Sequence, residues 1–293
     1  MNFRNLSVIA TFFGLWLSKF FEAPSQQILA FFLIFSVGIL HGSNDLSIIS
    51  KMQEATLSKK RLLFFGTYIM TVIVAAALFY LVPTLALVAF IIFSAYHFGE
   101  QHWHARVPSK NIIGILYYLN YGLLILFLLF FLNSKATLEV IEALTSIRFT
   151  DTLFLTGTLV SSSLFICGLI YYKLKKSLTW LDLAFESFLV LVFLIVFGVA
   201  SLIWAFAIYF IFWHSIPSMY EQLKYLYGNQ SMKSLTSYLK DSLLTWGISI
   251  IGIFLLYYLV KDNDELFLPL FFSFLGAITF AHTFIMTKMF SKS

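Results

Sequence analysis

The sequence predicts an all-α fold, a polytopic bundle of about ten transmembrane helices, and three observations carry that prediction. Of 293 residues, 60% are hydrophobic and only 11% charged, where a soluble domain carries about a quarter charged. Apolar runs long enough to cross a bilayer fill most of the chain, parted by short polar stretches. Lysine and arginine collect in alternate loops between those runs, as basic residues do on the cytoplasmic side of a membrane. One integral membrane domain over residues 1–293 is expected.

Apolar length delimits ten spans, at about 6–21, 26–42, 61–82, 83–99, 111–132, 152–173, 179–198, 199–216, 242–260 and 266–288. The first follows a single Arg4 and precedes no small-residue cleavage pattern, so it reads as a retained helix rather than a signal peptide. Spans three and four meet at Pro83-Thr84, and spans seven and eight at Gly198-Val199. If both junctions are kinks rather than turns, the count falls to eight.

The charges test this count. Arg4, Lys51, Lys59, Lys60, Arg61, Arg106, Lys110, Lys173, Lys175, Lys176, Lys224, Lys233, Lys240, Lys288 and Lys292 fall on one side of a ten-span chain, and Lys19, Lys135, Arg148 and Lys261 on the other. Fifteen against four is the expected asymmetry, and it fails in the second half if the two junctions are kinks. Ten spans are therefore preferred, with both termini cytoplasmic. The net charge of +5 then reports topology rather than nucleic-acid binding. The single cysteine, Cys167, sits within an apolar segment and supports neither a disulfide framework nor a thiolate metal cluster.

There are six histidines. His41, His97 and His214 lie at the inner ends of spans two, four and eight, while His282 lies about six residues before the inner end of span ten, ~9 Å deeper in the same half of the bilayer. One membrane histidine alone often does no more than bond a neighbouring helix. Four at one depth, from four helices, point to a shared site, because ionisable groups in hydrocarbon are costly and face a bundle interior. Imidazole suits iron, zinc, copper and nickel. Four neutral nitrogens also leave coordination positions for dioxygen on ferrous iron. His102 and His104 fall in a polar stretch and read as solvated loop residues, held in reserve. Asp45 comes one helical turn after His41 and is a candidate to hold a ligand's other ring nitrogen, or else an interfacial charge or helix cap. Glu100, three residues after His97, has the same two readings. Glu186 has no spacing that ties it to the histidines.

The segments Gly38-Ile-Leu-His41-Gly42-Ser-Asn-Asp45, Tyr96-His97-Phe98-Gly99, Phe212-Trp213-His214-Ser215 and Thr279-Phe-Ala-His282 resemble the four histidine motifs of the Brp/Blh family, membrane-bound bacterial β-carotene 15,15′-dioxygenases. The resemblance runs from about residue 30 to 288. It implies an all-helical membrane enzyme that uses Fe(2+) and O2 to split β-carotene at its central double bond into two retinals. It further implies His41, His97, His214 and His282 as iron ligands, the cytoplasmic membrane of a bacterium as the location, and a retinal-binding rhodopsin as the user of the product. The chain departs from the family pattern at His102, where an aspartate is usual, at Ser218, where a histidine is frequent, and at Ala281, where proline is usual.

Three rival readings stay open on the residues. A desaturase or hydroxylase with two irons needs more histidines in paired boxes, which are absent from the sequence. A metal or proton transporter would use the histidines as a relay, although none lies in the outer half of the bilayer. A bis-histidine haem carrier would show a Soret band.

Overall fold

The computed structural model describes residues 3–52, 58–107, 111–262 and 264–291. Among them there is no strand. The helices are α1 (Phe3–Leu17), α2 (Ala23–Leu33), α3 (Ile39–Gly42), α4 (Asp45–Met52), α5 (Ser58–Leu81), α6 (Pro83–Trp103), α7 (Ile112–Leu132), α8 (Ser134–Thr145), α9 (Asp151–Leu174), α10 (Trp180–Val199), α11 (Leu202–Tyr209), α12 (Ile216–Tyr227), α13 (Met232–Val260) and α14 (Asp264–Phe290). π-helical segments join α2 to α3 (Ile34–Gly38) and α11 to α12 (Phe210–Ser215). Eight helices are long and apolar enough to cross a bilayer, which makes this a multi-pass membrane protein. The two remaining expected spans are also helical, at Phe3–Leu17 and Phe65–Leu81, but shorter. Lys110 and Lys292 of the charge tally lie outside the described residues.

Both doubtful junctions are reversals of the chain. Phe79 and Phe90 have ring centroids 6.4 Å apart, whereas eleven residues of continuous helix would separate them by ~16 Å. Phe193 likewise lies 5.4 Å from Tyr209 and 5.5 Å from Trp213 across the second junction. Pro83 opens α6, where its missing N–H costs nothing. Helix ends elsewhere follow local chemistry. Thr179 and Asp182 form a reciprocal cap on α10, Asn111 and Ser231 cap α7 and α13, and Gly228, at φ +76°, ends α12. The α12 and α13 helices run about ten residues beyond the expected spans, because apolar length measures the hydrocarbon crossed and not the helix.

The chain divides into two compact units. The first comprises Met1–Ile34, Ser94–Glu139 and Ile147–His214. In it α7 packs on α9 and α10, α11 on α2, and α1 on α10 and α11. Trp204 donates its indole N–H to the Gly14 carbonyl and to Ser18, and Trp213 donates to Thr11, which ties α1 to the buried α11 segment. The second unit comprises Phe35–Phe93, Val140–Ser146 and Ser215–Ser293. There α14 packs along α5 and α13, and α4 packs against α5, α12 and α14. Ile48, Ile49, Leu223, Leu226, Tyr238, Ile285, Met286 and Met289 form its core.

Candidate metal centre

In the first unit His97 is set by a backbone-to-backbone crossing of α6 and α7. A Cβ on Gly99 would lie 1.8 Å from the Tyr118 carbonyl oxygen, and one on Gly122 would lie 1.9 Å from that of Ala95. Glycine is thus required on both helices for this approach, and Gly99 sits two residues after His97. His214 stands in the second π-helical segment. Pro217 cannot donate a backbone N–H, which opens the helix upstream, and Ser7 supplies a hydroxyl proton to the Phe212 carbonyl at 2.9 Å. The His97 and His214 rings meet edge to face with centroids 4.7 Å apart. Each is 1% exposed. Phe98 and Phe210 pack on the His214 ring.

In the second unit His41 and His282 make a matching pair, edge to face at 4.8 Å and buried. His41 follows the first π-helical segment, whose Phe35 carbonyl accepts the Trp246 indole N–H at 2.8 Å. Side-chain donors inserted into the ladder account for both segments, and π-bulges recur at functional sites. The helix breaks at Ser43 and Asn44, just after His41, and side chains reach the His41 carbonyl there. Gln222 donates to it at 2.9 Å and Tyr238 at 3.4 Å, while Tyr238 also donates to the Gln222 side-chain oxygen at 2.8 Å.

Asp45 is 1% exposed and takes the Nδ1 of His282 at 2.8 Å on one oxygen and the Tyr68 hydroxyl at 3.1 Å on the other. The break explains why Asp45 serves His282 rather than His41, one nominal turn before it. His41 Nδ1 is hydrogen-bonded to the Gly38 carbonyl. A carbonyl only accepts, so that proton is on Nδ1 and the lone pair on Nε2; the Asp45 carboxylate sets the same tautomer in His282. Two imidazoles bonded through Nδ1, which leaves Nε2 as the donor atom, and a carboxylate behind one of them fit a divalent transition metal, and not calcium or magnesium.

His102 and His104 were expected in a solvated loop, but α6 continues through Trp103, and His104 is in the turn that follows. His102 bonds Glu186 at 2.8 Å and stacks on Tyr121, with centroids 4.6 Å apart. Arg106 bonds the other Glu186 oxygen at 2.8 Å, and Arg4 approaches to 3.6 Å. Glu186, 1% exposed, is therefore the centre of a charge cluster that holds α1, α6 and α10 together. The Glu100 carboxylate accepts the Tyr96 hydroxyl at 2.8 Å, and its backbone carbonyl bonds the His104 ring at 3.1 Å. Sequence reasoning missed Tyr68, Gln222 and Tyr238; no periodicity or motif spacing marks them.

The fold and these buried histidine pairs define a multi-pass helical membrane protein with the donor chemistry of a transition-metal site. The family model described as beta-carotene 15,15'-dioxygenase matches residues 32–290, and the chain belongs to that family. All four motif histidines fall within the matched region. No curated protein and no solved structure matches the chain.

Proposed function

We propose that this protein is a non-haem iron dioxygenase that cleaves β-carotene at its central double bond with O2, giving two molecules of retinal. His41, His97, His214 and His282 are the Fe(2+) ligands. The observation that carries the reading is that the four motif histidines form two buried pairs, at 4.7 and 4.8 Å between ring centroids, in a chain of this family.

The reaction balances without an external reductant, since one C=C bond breaks, two C=O bonds form, and both oxygen atoms end in the aldehydes. Iron supplies the activation of dioxygen that no amino-acid side chain provides. The protein's own groups do the rest. Asp45 and the Gly38 carbonyl hold a proton on Nδ1 of His282 and His41 and so leave Nε2 as the ligand atom. Phe98 and Phe210 surround His214 with apolar rings and exclude water from the reacting polyene. A lipid-soluble carotenoid reaches such an enzyme from the bilayer. The family resemblance supports residence in the cytoplasmic membrane and a retinal-binding rhodopsin as the user of the product, and the fifteen-to-four basic asymmetry supports both termini inside.

Expression in β-carotene-producing cells tests this, with chromatography for retinal beside His41→Ala and His214→Ala controls. Retinal from the parent alone supports the reading. A well-expressed, iron-loaded parent that yields no carotenoid fragment overturns it and favours metal transport.

A further inference from the structure

We propose that Tyr68 is a positioning residue that limits how strongly Asp45 draws on the Nδ1 proton of His282, and so sets the electron donation of that imidazole to its metal; this rests on the metal-ligand reading of His282.

The geometry is a relay of three side chains from three helices of one unit. The Tyr68 hydroxyl on α5 donates to Oδ2 of Asp45 at 3.1 Å, and Oδ1 of Asp45, in the first turn of α4, accepts from His282 Nδ1 on α14 at 2.8 Å. The α5 helix presents mostly apolar side chains to lipid, with Leu63, Ile69, Met70 and Ile73 exposed. Tyr68, Val72, Ala75 and Phe79 form its less accessible stripe at helical spacing. A phenol on that stripe is desolvated, and its hydroxyl finds the carboxylate as its partner.

A carboxylate that accepts from a ligand's second nitrogen raises the basicity of that ligand. Its two oxygens share one delocalised charge, so a donor on Oδ2 withdraws density from Oδ1. Tyr68 therefore weakens the pull of Asp45 on the imidazole N–H and lowers the donor strength of His282 at its other nitrogen. Removing the hydroxyl reverses this: His282 becomes the stronger donor and the oxidised metal is favoured. Replacing Asp45 by asparagine acts oppositely, because an amide oxygen is a weaker acceptor than a carboxylate.

The test is the Fe(III)/Fe(II) midpoint of purified, iron-loaded protein in lipid nanodiscs. Tyr68→Phe is expected to shift the oxidised-to-reduced ratio at fixed potential about tenfold toward Fe(III), a midpoint ~59 mV lower for one electron, and Asp45→Asn is expected to raise it. Opposite signs are the signature, since a merely structural contact gives none. A parent that takes up no iron overturns the metal reading and the inference with it. A loaded parent whose midpoint Tyr68→Phe leaves unchanged, or moves in the same direction as Asp45→Asn, overturns the role of Tyr68 alone. Should Tyr68→Phe not give monodisperse protein, a fluorotyrosine at position 68, a stronger donor, is expected to raise the midpoint, and a lower one refutes the proposal.

Discussion

Gly99→Ala concentrates the packing argument into one methyl group. The added Cβ would stand 1.8 Å from the Tyr118 carbonyl oxygen, whereas a carbon and a carbonyl oxygen come no closer than about 3.3 Å. The obstacle is backbone and not a flexible side chain, so no rotamer relieves it. The two helices must part by about 1.5 Å at this point. Overpacking of this kind costs about 1–3 kcal/mol, and the upper end is expected where nothing gives way. His97 lies half a turn from the contact and moves with its helix. Misplacement by ~1 Å of a group around a reaction centre is enough to lower turnover about 100-fold. The assay pairs chemical unfolding in mixed micelles with iron content and retinal formation. Gly247→Ala is the control, because nothing lies within 4 Å of its added carbon and alanine is the better helix former by about 1 kcal/mol. Gly99→Ala protein with the parent's stability and turnover would refute the reasoning.

Three further outcomes follow from the same contacts. Glu186→Ala takes the carboxylate from His102 and leaves Arg106 its 3.7 Å contact with Asp182; because Arg106 also retains 23% of its side-chain surface in solvent, the expected loss is about 2–3 kcal/mol rather than the ~3–5 of a fully buried pair, read from unfolding midpoints. Gln222→Leu removes the 2.9 Å bond to the His41 carbonyl, which Tyr238 also approaches at 3.4 Å; stability should fall by about 1–3 kcal/mol, with iron affinity falling alongside, and unchanged affinity would show that the clamp on this carbonyl does not orient the imidazole. Chelation of the iron should abolish retinal formation and Fe(2+) alone should restore it; recovery with zinc would rule out redox chemistry at the site.

The helices and the four motif histidines were legible because lipid imposes a simple rule. Every backbone group in hydrocarbon must be bonded within its own helix, so apolar length of about 20 residues reveals each crossing, and the cost of a polar side chain there makes each histidine conspicuous. Loop chemistry was harder to read. His102 looked solvated because its neighbours are polar, yet its partner is Glu186, 84 residues away, on a different helix.

Taken alone, the sequence determined the all-helical membrane fold, the reversals at Pro83 and Gly198 once charge alternation was weighed, the four motif histidines, and the family. Tertiary structure decided which imidazoles pair within each unit, that Asp45 answers to His282 and not to His41, that Tyr68 bonds Asp45, and that Gln222 and Tyr238 hold the His41 carbonyl. Those contacts join residues 16 to 237 positions apart. Periodicity reports only which face of a helix turns inward, whereas the partner on the facing helix depends on helix breaks, π-helical segments and close glycine crossings, which are properties of the packed chain.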